Sequence, residues 1–125
     1  MMKDAQQAGG IERRVRPRIP LPCAIIFGGG DFVAEGATVD LGTPGCAVQA
    51  SDLPRLGDYL QLAILVPAYE CPFSVGVARV RWVRSGCFGV EFLKMPGENQ
   101  TRIAVLVQDH LSGTPSSLKP WYKSG

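Results

Sequence analysis

At 125 residues, with 46% hydrophobic and 19% charged side chains, the chain has the size of one domain and enough apolar material for one packed core, which excludes wholesale disorder. Thirteen Lys and Arg stand against eleven Asp and Glu, a formal charge of only +2, so no general affinity for polyanions follows from the total. Four scattered cysteines, none in a CxxC pair, and a single histidine give no zinc-ligand spacing.

Residues 1–11 are polar and glycine-containing, and are expected to form a flexible N-terminal tail. The Met1-Met2-Lys3 start leads into no apolar signal segment, so the cysteines are expected to be reduced and the chain cytoplasmic. Arg13, Arg14, Arg16 and Arg18 then fall within six residues. Pro17, Pro20 and Pro22 remove backbone donors and disfavour helix at the residues before them, so these arginines belong on an extended segment.

From Leu21 onward, short runs rich in Val, Ile, Phe and Leu alternate with Gly, Pro, Asp and Ser clusters, an all-β pattern. Strands are expected at Leu21–Phe27, Phe32–Asp40, Gly45–Ala50, Tyr59–Val66, Phe73–Arg84 and Cys87–Phe92. Gly28-Gly29-Gly30-Asp31 reads as a hairpin turn, since a phosphate cradle would need a helix to follow it. In Phe73–Arg84, strict alternation puts Ala78, Val80 and Trp82 on the core face and Arg79, Arg81 and Val83 on the other. Ser85-Gly86 supplies the turn into the next strand. Antiparallel strands with regular turns escape sticky edges by closing into a barrel.

After Pro96-Gly97 the period becomes helical: Ile103, Leu106, Val107 and Leu111 form an apolar stripe, with Gly113 as a stop. His110 lies at the stripe's edge, a boundary residue and not a catalytic one. Residues 113–125, with Trp121 and Tyr122, read as a C-terminal tail. The longest apolar run, Leu60 to Tyr69, contains Gln61 and Pro67 and is far too short to span a bilayer. The expected architecture is therefore all-β: a six-stranded antiparallel barrel with one C-terminal α-helix over residues 12–112.

Three motifs occur along this frame. Arg14-Val15-Arg16-Pro17-Arg18 is an RxxxR sequence just before the first strand. Asp40-Leu41-Gly42-Thr43-Pro44-Gly45 follows a (D/N)xSxxG pattern with glycine in place of serine. Gly89-Val90-Glu91-Phe92 is a GVxF strand followed by the helix. With these motifs in this order, the chain resembles the PilZ domain family over approximately residues 12 to 111.

The resemblance implies a PilZ-like barrel that binds cyclic di-GMP as a ligand, with no resident cofactor and no metal. The residues it points to are Arg13, Arg14, Arg18, Asp40, Gly42 and Gly45, and Arg81 on the outward side of its strand is added as a candidate. The chemistry is suitable. In an extended segment Arg14 and Arg18 point the same way about 13 Å apart, a dinucleotide's reach. Guanidinium forks match phosphate oxygens, pair with guanine O6 and N7 and stack on bases. Asp40 adds a carboxylate for guanine N1–H and N2–H, although Asp before Gly-Thr-Pro-Gly is also ordinary turn chemistry. Gly45 either lets the backbone approach the base or occupies a positive φ. Gly42 lacks the hydroxyl of the usual serine, one neutral hydrogen bond of about 0.5–1.5 kcal/mol. A serine there is expected to strengthen binding if the loop has the family geometry.

In the family an arginine at position 13 goes with two mutually intercalated ligand molecules, so the resemblance implies two per protomer. It further implies an adaptor that acts through an effector protein on motility, adhesion or exopolysaccharide production, with no nucleic-acid polymer and no membrane insertion. An enzyme has little support: there is one histidine, no Ser/His/Asp order and no defined pair of acids. Two other readings remain. Gly42 points to a PilZ-like protein-interaction module with weak or no nucleotide binding. A barrel for single-stranded nucleic acid would need a basic groove with aromatic platforms, and few aromatics lie near the arginines.

Overall fold

The computed structural model describes residues 17–67 and 69–112. Seven strands and one helix follow one another: β1 (Arg18–Pro20), β2 (Ala24–Gly29), β3 (Phe32–Gly42), β4 (Gly45–Ala50), β5 (Tyr59–Leu65), β6 (Phe73–Arg84), β7 (Cys87–Lys94) and α1 (Gly97–Ser112). Every pairing is antiparallel, and the order β1-β3-β2-β5-β6-β7-β4 closes on itself through β3 and β4. Strands β2 to β7 are thus the expected six-stranded barrel. The short β1 is an addition to it, pairing with β3 at Arg18↔Gly42 beyond the point where β2 ends its ladder at Ala24↔Ala37.

The break between β1 and β2 has a local cause. Pro22 has no N–H to give to a ladder, and the buried Thr38 takes over the pairing. Its Oγ1 accepts from Cys23 N–H at 2.9 Å and donates to the Leu21 carbonyl, while its own N–H donates to the Cys23 carbonyl at 2.8 Å. This stitch sets where β1, and with it Arg18, leaves the barrel wall. At the β2–β3 hairpin Gly28 and Gly29 remain in the strand, and the turn narrows to Gly30-Asp31 with Gly30 at φ +60°. At the β6–β7 hairpin, Ser85 and Gly86 both take positive φ, 49° and 78°, as a type I′ turn requires.

The interior is filled by Phe27, Phe73, Phe88, Ile25, Ile64 and Leu41, all under 2% exposed. Phe27 meets Phe88 edge-on, with ring centroids 4.9 Å apart. Helix α1 packs against β1, β3 and β6 through the buried Ile103 and Val107. Its stripe starts earlier than the periodicity suggests. Asn99 is buried and donates from Nδ2 to the Ser74 carbonyl at 3.0 Å, whereas Leu111 is 50% exposed, past the edge of the barrel. Among the described residues no helix is long and apolar enough to cross a membrane.

Of four register shifts in the described ladders, two β-bulges set which side chains of β3 and β6 face outward near β1. In β3, Ala34 and Thr38 face inward, but Val39 is an extra residue where the ladder to β4 shifts between Thr38 and Asp40. The phase switches, Leu41 is fully buried and Asp40 turns to the outer face. In β6 the ladder to β7 shifts between Val80 and Trp82, with Arg81 as the extra residue. Val83 therefore packs against the core, and Trp82 lies outside it. The strict alternation expected for this strand, with Trp82 inward and Val83 outward, is corrected by that bulge.

Candidate functional site

The two bulges bring their displaced residues to the same place. Arg18 from β1, Asp40 from β3, Arg81, Trp82 and Arg84 from β6 and Glu91 from β7 line one surface cavity of about 480 Å³. A larger cavity, about 580 Å³, lies over β2, β3, β5 and β6, where Ile26, Val33, Tyr59 and Val77 surround backbone glycines. That larger one has no charged side chain among its described lining residues, and two others of about 500 and 490 Å³ carry one cation each, Lys94 and Arg55, whereas the first gathers three arginines.

Two ion pairs organise the smaller cavity. Arg18 donates from Nε and Nη2 to Asp40 Oδ1 at 3.1 and 2.7 Å, and Ala47 N–H donates to the same oxygen at 3.2 Å. Asp40 Oδ2 has no hydrogen-bond partner among the described residues. Arg81 repeats the arrangement, donating from Nε at 2.7 Å and from Nη2 to Glu91 Oε1. In both pairs the Nε–Nη2 side of the guanidinium is engaged and the Nη1 end is left over. The four side chains are between 33% and 50% exposed, so each pair contributes about 0–1 kcal/mol to stability. Their larger effect is to fix where the guanidinium heads stand.

Trp82 completes the face. It pairs across the ladder with Gly89, and a Cβ on Gly89 would fall on the indole, 2.9 Å from Cδ1 and closer still to Nε1. The glycine thus leaves the space in which the ring lies. The Arg84 guanidinium stands 4.6 Å from the indole centroid, a cation–π contact. The buried Cys46 lies beneath Arg18 and Asp40. Burial pushes its thiol up to about 12, against the lowering effect of Arg18 and with a further rise from Asp40, so it stays protonated and is no nucleophile at neutral pH.

Of the residues singled out in the sequence, the structure brings Arg18, Asp40 and Arg81 to one cavity. Arg13 and Arg14 lie outside the described residues. Gly42 is buried at the end of β3, and its φ is not positive. A Cβ there would stand 2.8 Å from the Pro17 carbonyl oxygen and 3.2 Å from Arg18 Cγ, so a serine has no ready space. Gly45 does not use positive φ either. Its missing Cβ lets β4 approach β7, where it would meet the Val90 carbonyl, 3.1 Å from the carbon. Arg79 stands away from the cavity, 5.6 Å over the Tyr59 ring. Sequence reasoning missed Trp82, Arg84 and Glu91. A tryptophan and a glycine in neighbouring strands were a usable signal, but only once the bulge had set the register.

A closed antiparallel barrel with a cluster of arginines and one aromatic on its outer wall defines a small barrel with an arginine-rich outer face. Residues 12–109 match the family model of the PilZ domain, and the chain belongs to that family. Among solved structures it is similar to the Bacillus subtilis inhibitor of motility MotI/DgrA, with TM-score 0.67 and 18% identity over 82% of this chain and 52% of the other. It is similar to the PilZ domain of CeSA from a cellulose-synthesizing bacterium, with TM-score 0.59 and 16% identity over 76% of this chain and 98% of the other. It is also similar to Escherichia coli YcgR in complex with c-di-GMP, with TM-score 0.67 and 13% identity over 85% and 49%. At these identities the likeness is one of fold. The matches span about half the length of MotI/DgrA and YcgR. No curated protein sequence matches the chain significantly.

Proposed function

We propose that the chain is a cyclic di-GMP receptor, an adaptor and not an enzyme, whose liganded form acts through an effector protein on motility, adhesion or exopolysaccharide production in the cytoplasm. The observation that carries this reading is the meeting of Arg18, Asp40, Arg81 and Trp82 at one cavity in a PilZ domain chain. Each supplies something the ligand needs. The guanidinium ends not held by Asp40 and Glu91 can take phosphate oxygens or guanine O6 and N7. Asp40 Oδ2 accepts from guanine N1–H and N2–H. The indole of Trp82, with Arg84 upon it, offers a plane against which a base can stack. Arg13 and Arg14 precede β1 in sequence and add two cations, which suits two intercalated ligand molecules carrying four negative charges. Gly42 favours the second reading, a PilZ-like interaction module with weak or no nucleotide binding.

The test is calorimetric titration of the whole chain with cyclic di-GMP, with GTP and a short single-stranded oligonucleotide as controls. The expected result is saturable binding of cyclic di-GMP alone at a ratio of two, weakened at least tenfold in Arg18→Ala. A ratio of one at saturation would remove the paired-ligand part only. Binding of no nucleotide would leave the interaction module, and preference for the oligonucleotide would overturn the receptor reading in favour of a nucleic-acid barrel.

A further inference from the structure

We infer that Glu91 is a positioning residue that holds Arg81 at the ligand cavity and, through its charge, sets the affinity of that cavity for a dianionic cyclic dinucleotide. The inference rests on the receptor reading above.

Arg81 is the extra residue of a bulge, and its side chain is 50% exposed. A long side chain in that position has many rotamers and little packing to choose among them. Glu91 makes the choice. It lies on β7 opposite both Arg79 of β6 and Gly45 of β4. Of the two arginines nearby it is Arg81 that it bonds, through Nε at 2.7 Å and through Nη2. A carboxylate oxygen on that side of the guanidinium leaves the Nη1 end, the end suited to a phosphate, unoccupied. The Arg18–Asp40 pair is built the same way and borders the same cavity. Two arginines therefore present equivalent ends to one space, each steered by a carboxylate.

The steering has an electrostatic consequence. Glu91 lines the cavity itself, and its negative charge offsets that of Arg81 for any incoming anion. Position and charge are separable by substitution. Glutamine keeps an oxygen that accepts from Arg81 and removes the charge, whereas alanine removes both.

The experiment is calorimetry of the full chain with cyclic di-GMP for wild type, Glu91→Gln, Glu91→Ala and Arg81→Ala, each also combined with Arg81→Ala where possible, and with Arg18→Ala as reference. Glu91→Gln is expected to bind roughly two- to fivefold tighter than wild type, the gain shrinking at high salt. Glu91→Ala is expected to bind more weakly than Glu91→Gln, and the difference between them is expected to vanish in the Arg81→Ala background. Weaker binding by Glu91→Gln than by wild type overturns the charge effect. Equal binding by the Gln and Ala variants, with wild type binding and Arg18→Ala impaired, overturns the positioning role and leaves the receptor reading standing. Absence of binding by every chain overturns both. Thermal melts accompany each variant, and if Glu91→Ala does not fold, the comparison of Glu91→Gln with wild type in both Arg81 backgrounds still decides.

Discussion

Replacing Asp40 separates the ligand role of this residue from its structural one. Its Oδ1 receives two bonds from Arg18 and one from the Ala47 N–H, while Oδ2 has no partner among the described residues. Asp40→Ala strips the Ala47 N–H of its acceptor in a half-buried position, costing about 1 kcal/mol or somewhat more. For a domain of this size that lowers Tm by about 4–8 °C. The exposed ion pair adds little to that loss. Asp40→Asn keeps an oxygen for Ala47 and Arg18, so its Tm is expected within a few degrees of wild type. Its Nδ2 now points a donor at the donor edge of guanine, and a charge-assisted bond of about 1.5–3 kcal/mol is lost, on the order of ten- to a hundredfold in Kd. Differential scanning fluorimetry and calorimetric titration on the same samples read both quantities. Full affinity for cyclic di-GMP in Asp40→Asn, with Arg18→Ala impaired, would refute the idea that Asp40 reads the base.

The family's serine, introduced as Gly42→Ser, is expected to weaken binding and not to strengthen it, because its Cβ must displace the Pro17 carbonyl and the Arg18 stem; tighter binding would show that β1 yields at no cost. In a Trp121→Phe background, Gly89→Ala is expected to push the Trp82 indole off its site, seen as a shift in tryptophan emission with reduced ligand affinity. An unchanged spectrum with intact binding would mean the ring relocates without consequence. Above pH 9.0 the unfolded chain loses the Cys46 proton while the folded chain keeps it up to about 12, so stability falls with rising pH across that window. Cys46→Ala is therefore expected to flatten the decline of Tm with alkaline pH, and an unaltered slope would contradict the assignment.

The barrel and its helix were legible because their signals are local. Alternation in β2 and β5, the Ser85-Gly86 turn and the 3.6-residue stripe of Ile103 and Val107 each act within a few residues. The site was legible only as far as its motifs reached. Arg18 and Asp40 could be named, but Trp82 was assigned to the core, since alternation counts residues and a bulge adds one without announcing it. The insertion is decided by the partner strand: Gly89 accepts an indole, and β4 accepts the extra Val39, facts about neighbours distant in sequence. The exposure of Leu111 has a similar origin, as it follows from where the barrel stops and not from the helix's own pattern.

The bulges at Val39 and Arg81 work like shifts of reading frame along one strand. On one side of each, the odd or even residues spell the interior; past it, the other set does. Substitution at either position leaves the frame intact. Loss of the extra residue itself keeps it too, because deleting Val39 sets Asp40 directly after the inward Thr38, still facing out, and deleting Arg81 sets Trp82 directly after the inward Val80, still facing out. A deletion scan through β3 and β6, read by Tm, should therefore find removal of Val39 or Arg81 better tolerated than removal of the inward neighbours Thr38 or Val80, the second of which would leave an arginine to take the interior position.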